Sequence, residues 1–193
     1  VIEMSLGWYN TSNIGNRGWT CGYCGKNVGG NIGYYRETEP KNRYIYICPH
    51  CQNPTAFIRD KNNSLQQYPG AVYGNEVENL PSSVATLYDE VRRCIQYTSY
   101  TSAVLAMRKL LMHVAVEQGA KKNQKFIEYV NFLDEKGWIP PSGKEWVDEI
   151  RKTGNEATHE IVLMDEDDAK QLLDFTEMLL KIIYEFPMKI RKK

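Results

Sequence analysis

Four cysteines in two close pairs constrain this 193-residue chain more than any other feature. They stand as Cys21-Gly-Tyr-Cys24 and Cys48-Pro-His-Cys51, with 23 residues between the pairs. A two-residue spacer lets both thiolates of a knuckle face one ion, and two knuckles complete a tetrahedron. The inner spacing is slightly longer than the commonest range, and a hairpin loop absorbs the difference. Gly25 frees the tight backbone turn behind the first pair. The pattern therefore predicts a structural zinc ribbon with one Zn2+ per chain, held by Cys21, Cys24, Cys48 and Cys51. A shell closed by four thiolates leaves no open position for catalysis. His50 sits inside the second knuckle with its ring expected to point outward, not at the metal. Paired cysteines used this way fit a reducing, cytoplasmic compartment better than a disulfide framework.

Around these cysteines, residues 1–60 are rich in Gly, Asn and Tyr and carry no helical periodicity. Arg43-Tyr-Ile-Tyr-Ile-Cys48 alternates like a strand, and Ile32-Gly-Tyr-Tyr-Arg36 reads as its partner. Residues 61–80 are dense in turn formers and read as a linker. From Pro81 the pattern turns helical. A first helix is expected over about Ser83 to Tyr97, with Val84, Leu87, Tyr88, Val91, Cys94 and Ile95 on one stripe. Cys94 is thereby a core thiol. A second helix covers about Thr101 to Gln118 and ends at Gly119, and a third covers Asn123 to Glu135 and stops at Gly137. Ser142-Gly-Lys-Glu145 is a capping box that opens a fourth. The acidic turn Asp165-Glu-Asp-Asp168 opens the last, suiting the positive end of a helix dipole. The expected fold class is mainly α: an antiparallel bundle of about five helices over 81–193, preceded by a small β zinc ribbon over 1–60.

Charge narrows the function classes. The formal net charge is zero, so no global field announces nucleic acid or membrane. That balance argues against a DNA-binding regulator working through many phosphate contacts. Only Lys189-Ile-Arg191-Lys192-Lys193 is a basic run, and it reads as a solvated terminus. No apolar run approaches the roughly 18 residues a bilayer span needs. Val1-Ile-Glu-Met-Ser-Leu6 lacks the basic-then-apolar pattern of a secretory signal. Tyr34, Tyr35, Tyr44 and Tyr46 offer surfaces for base stacking or for packing.

A second polar constellation lies in Arg151-Lys-Thr-Gly154-Asn155-Glu-Ala157-Thr-His159. Helical periodicity would set Arg151, Asn155 and His159 in a row along one face. Histidine can move protons near neutral pH, and arginine can hold a phosphate bidentately. Arg108 shares a stripe with Val104, Leu111 and Ala115; it is either a snorkelling cation or a buried partner for a polar group. His113 has no motif around it and reads as structural.

These residues carry a family resemblance. Leu80-Pro81-Ser-Ser-Val84, Tyr88-Asp-Glu90, Ala103, Arg108, Leu111 and the segment Ile150 to Glu160 resemble the family called domain of unknown function 4145, over about residues 75 to 188. That family is similar to the HEPN superfamily of helical domains. The resemblance implies a HEPN-like bundle, a homodimer, and a setting in bacterial or phage conflict systems of restriction, defence or counter-defence. HEPN ribonucleases cleave RNA without metal, their arginine and histidine activating the 2′-hydroxyl and stabilising the phosphorane. On this sequence Asn155 and His159 match the polar residue and the histidine, whereas the arginine position falls on Gly154 and Arg151 stands one turn earlier. The expectation taken forward is a zinc-containing binding module for a protein or nucleic-acid partner. The alternative is a metal-independent endoribonuclease using His159 and Arg151.

Overall fold

In the computed structural model the described residues are 7–36, 43–143 and 163–191, and they divide into two compact units, Val1–Val72 and Tyr73–Lys193.

The first unit is one antiparallel sheet of five strands in sequential order: β1 (Ser12–Thr20), β2 (Asn27–Tyr35), β3 (Arg43–Ile47), β4 (Pro54–Arg59) and β5 (Leu65–Tyr68). The two strands expected around 32–36 and 43–48 are paired, Tyr34 opposite Ile45 and Tyr35 opposite Tyr44. β1 and β2 pair through Arg17 opposite Gly30 and Gly18 opposite Gly29, with a register shift between Asn13 and Arg17. One face carries Trp19, Tyr46 and Phe57, whose rings meet edge-on or tilted at centroid distances of 5.6–6.0 Å. The Arg17 guanidinium lies over Phe57 and Tyr46 at 4.8 and 5.4 Å, a cation–π contact on a partly buried surface. Gly30 faces the Trp19 ring, where a Cβ would sit 3.0 Å from it. The Gln67 amide on β5 donates to the Thr20 carbonyl on β1 at 2.8 Å. That bond joins the two edge strands and curls the sheet around its aromatic core.

The second unit holds four helices among the described residues: α1 (Ser82–Gln96), α2 (Tyr100–Glu117), α3 (Phe126–Glu135) and α4 (Glu166–Leu180). The last continues through a π-helical turn, Lys181–Glu185, into a short segment, Phe186–Arg191. α2 is the central helix, packing against α1, α3 and α4. Its buried residues Ala103, Val104, Met107, Leu110, Leu111, Val114 and Ala115 form one broad apolar stripe, the face a helix turns to a core, while Leu105 on the other side is exposed. α1 buries Val84, Tyr88, Val91 and Ile95, the stripe read from the sequence, with Cys94 partly buried against the same core. At the end of α2, Ala120 N–H reaches the Ala115 carbonyl at 2.9 Å and Gly119 N–H the Val116 carbonyl at 3.0 Å. This is a Schellman closure, and Gly119 supplies its positive φ of 104°. Thr98 does the same after α1 at φ 59°, without being glycine. α4 opens on Asp165, whose carboxylate accepts from Asp168 N–H at 3.0 Å while Asp168 accepts from Asp165 N–H at 3.1 Å.

The expected mainly α chain with a five-helix bundle is therefore corrected. A five-stranded sheet and four described helices make the protein mixed α/β. The strand content was hidden because β1 and β2 are built largely from Gly and Asn, residues with weak strand propensity. β5 lies within the stretch read as linker. The fourth expected helix, opening at Ser142–Glu145, falls largely outside the described residues; Pro141–Gly143 form a 3-10 turn. Among the described residues no helix is long and apolar enough to cross a membrane.

Residues 73–80, also within that stretch, are fastened to the helices. Arg92 donates to the carbonyls of Tyr73 and Gly74 at 3.2 and 3.0 Å. Asn75 donates its backbone N–H and its side-chain amide to Glu177 at 2.7 and 2.9 Å, and Glu78 N–H reaches Glu185 at 3.0 Å. Lys181 and Lys189, each one turn further along, pair with these two carboxylates. Both glutamates are buried, and burial of a carboxylate is tolerable when its oxygens are filled by donors in this way.

Candidate metal centre

The sheet builds the metal site from two equivalent loops. β1 leads into Cys21–Lys26 and out along β2; β3 leads into Cys48–Asn53 and out along β4. Within each loop the first cysteine's N–H bonds the carbonyl five residues on, Cys21 to Lys26 at 2.9 Å and Cys48 to Asn53 at 3.0 Å. Its carbonyl accepts from the N–H four residues on, Gly25 and Gln52, each at 2.9 Å. That closure requires a left-handed residue at the fifth position, met by Gly25 at φ 67° and by Gln52 at φ 61°. The β2–β3 pairing then sets both loops at the same end of the sheet.

All four sulfurs lie within 4.8 Å of one another. Cys21 Sγ and Cys51 Sγ are 3.7 Å apart, Cys24 Sγ and Cys48 Sγ 4.0 Å. Sulfurs held at about 2.3 Å from one ion in a tetrahedron stand about 3.8 Å from each other. The cluster therefore has the dimensions of a filled four-thiolate shell, far wider than any disulfide. Cys21 and Cys48 are fully buried and Cys24 and Cys51 partly so. Four cysteines brought together this way can hold a metal ion.

The electrostatics differ across the cluster. Burial pushes the Cys21 thiol up to about 12, despite N–H donation from the backbone of Cys24 and Tyr23. Burial also acts to raise Cys51, but the backbone and side-chain N–H groups of Asn53 and the neighbouring thiols outweigh it and bring it down to about 7. A dication would supply the charge that Cys21 needs to ionise. His50 is exposed and stays off the cluster; its Nε2 lies 2.7 Å from Lys26 Nζ of the other loop.

Of the second constellation, Arg151, Asn155 and His159 all lie outside the described residues. Arg108 is half-buried on α2, its guanidinium 4.5 Å from the Phe126 ring centroid. Burial lowers its pKa. His113 is half-exposed and 3.3 Å from Glu117, itself a partner of Tyr184. Tyr184 is held above its ordinary range by burial and by that carboxylate.

The residues that sequence reasoning passed over are Gln52, Asn53 and the Asn75–Glu177 clasp. Asn53 occupies the same position in its loop as Lys26, a signal available only once the loops are superposed. Glu177 with Lys181 has the spacing of an ordinary i, i+4 pair, which carries no sign of burial.

Fold and site together define a two-unit chain: a curled antiparallel sheet closed at one end by a four-cysteine metal-type centre, and a separate helical unit. The chain belongs to the family Domain of unknown function (DUF4145), whose family model matches residues 89–193. The four cysteines stand outside the matched segment. No curated protein and no solved structure matches the chain.

Proposed function

We propose that the four cysteines hold one structural Zn2+ and that the protein is a metal-stabilised binding module. The observation that carries the reading is the closed sulfur cluster, with separations of 3.7 and 4.0 Å and, among the described residues, no non-cysteine ligand within it. Zn2+ favours this donor set and geometry, and it has no redox demand that an open position would serve. In a unit whose core is one aromatic cluster, metal binding contributes directly to folding.

For the partner we propose nucleic acid. Support comes from the first unit, residues 1–72, whose sequence carries seven lysines and arginines against four acidic residues, a modest positive excess. Tyr9, Tyr23 and Tyr35 expose 83, 50 and 44% of their surface, enough to offer ring faces to bases. The chain's zero net charge and the charge of a four-thiolate zinc centre keep such binding modest and its salt dependence shallow. A homodimer acting in a bacterial or phage conflict system, with a HEPN-like helical domain, is the setting we propose from the family resemblance.

Metal analysis of purified protein is expected to return about one zinc per chain, with none of the four cluster thiols reacting freely until the metal is removed, Cys94 lying outside the cluster. Metal-free protein with four freely titrating thiols would sink the zinc reading. Filter binding of single-stranded RNA or DNA at low salt tests the partner, and Arg43→Glu with Lys26→Glu should abolish retention. Retention that survives both changes would overturn it.

A further inference from the structure

We propose that Asn53 is a positioning residue for the metal centre, its side-chain amide orienting the Cys51 ligand by an N–H···S bond. The inference rests on the metal reading above and adds a named second contact to it.

The two loops supply an internal comparison. Their backbones follow the same hydrogen-bond pattern, so Lys26 and Asn53 occupy equivalent places, each with its carbonyl fixed by the first cysteine of its loop. Their side chains do different things. Lys26 turns across to His50, 2.7 Å away, and makes no contact with sulfur among the described residues. Asn53 turns inward, with Nδ2 3.5 Å from Cys51 Sγ. A sulfur carrying full or partial negative charge accepts, so the amide presents its N–H and not its oxygen. The Asn53 backbone N–H also donates to Cys51, so the side-chain amide is a second donor on that sulfur, one that Lys26 does not supply in the first loop.

Four thiolates around one dication leave an excess of negative charge on sulfur. An N–H aimed at one sulfur draws density from it, eases repulsion within the shell and fixes the side-chain torsion of that ligand. Partners of this kind, one bond beyond the metal, typically carry 10–100-fold in affinity. An oxygen put in place of the amide nitrogen reverses the effect, since a carboxylate would then face a thiolate at the same distance.

The test uses the full chain in three forms: unaltered, Asn53→Asp, and Lys26→Met at the equivalent place in the other loop. Asn53→Asp has the shape of asparagine, and circular dichroism checks that the sheet persists; Asn53→Ala, which removes the donor without adding charge, replaces it if it does not fold. Zn2+ affinity is measured by competition with a chromophoric chelator, and the thiolate-to-metal bands are recorded with Co2+ in place of Zn2+. Asn53→Asp is expected to lose about 10–100-fold in affinity, to shift the Co2+ bands, and to expose Cys51 first to alkylation. Asn53→Ala should do the same to a smaller extent, and Lys26→Met should bind like the unaltered chain. An Asn53 variant that melts earlier yet keeps affinity and Co2+ bands unchanged would show a merely structural contact and overturn the proposal. Equal losses from Lys26→Met would overturn it too. Failure of the unaltered chain to bind either metal removes the metal reading itself, and this inference with it.

Discussion

Removing the carboxylate of Glu177 should destabilise the helical unit by about 3–5 kcal/mol, the cost of breaking one side of a buried charged network. Glu177 is 8% exposed. It takes two N–H groups from Asn75 at 2.7 and 2.9 Å, a Tyr88 hydroxyl at 3.4 Å and the Lys181 ammonium. Glu177→Ala strands both Asn75 donors, each at about 1–3 kcal/mol when buried. Lys181 adds little to the loss, since its side chain is about a quarter exposed and reaches water. Glu177→Gln preserves shape but loses the charge, and about 1.5–3 kcal/mol is expected. Urea unfolding followed by circular dichroism measures both, with Glu166→Ala as the control: that carboxylate is half-exposed in a pair with Lys170 and should change stability by no more than about 1 kcal/mol. The pH dependence gives an independent reading. Burial acts to raise Glu177, but Lys181 and the Asn75 donors outweigh it, and the net shift is downward from 4.5. A lowered folded-state pKa means the stabilisation is present above the unfolded value and is lost as pH falls from about 4.5 through the folded pKa. The unaltered protein should therefore lose stability over that window more steeply than Glu177→Gln. A Glu177→Ala cost no larger than that of Glu166→Ala, or identical acid profiles, would refute the clasp.

Two other outcomes follow from particular residues. Gln52 holds a left-handed turn at φ 61° with its side chain exposed; Gln52→Gly should be neutral or stabilising by up to about 1 kcal/mol, whereas β-branched Gln52→Val should cost about 1–2 kcal/mol. Thermal unfolding of metal-loaded protein checks the order, and a Gly variant less stable than the Val one contradicts the turn argument. The alternative of a metal-independent endoribonuclease predicts RNA cleavage in the presence of a chelator, lost in His159→Ala and Arg151→Ala without a fall in melting temperature; cleavage unchanged in both variants would rule these residues out.

The four-cysteine cluster was legible in the sequence because its chemistry is local. Two thiols on one tight loop need only a two-residue spacer, and Gly25 marked the turn of the first loop. The helices were legible for the same reason: the stripe Val84, Tyr88, Val91 and Ile95, the stop at Gly119 and the acidic start at Asp165 each state a preference within a few residues. Gln52 escaped because the hydrogen-bonded closure of the loop between β3 and β4 imposes a left-handed turn on a residue with no preference for it. β1 escaped because its glycines and asparagines carry no strand signal of their own; Gly18 is fixed by pairing with Gly29 of β2, and Gly15 and Asn16 fall in the register shift between the paired stretches.

What the chain settled by itself was the two cysteine knuckles and the helical stripes, since both follow from spacing along the backbone. Only the tertiary structure decided that Asn53 turns to sulfur while Lys26 turns away, and that Glu177 is buried. A side chain's partner depends on which distant segment packs beside it. Asn75 meets Glu177 across 102 positions of chain, and no local periodicity encodes that meeting.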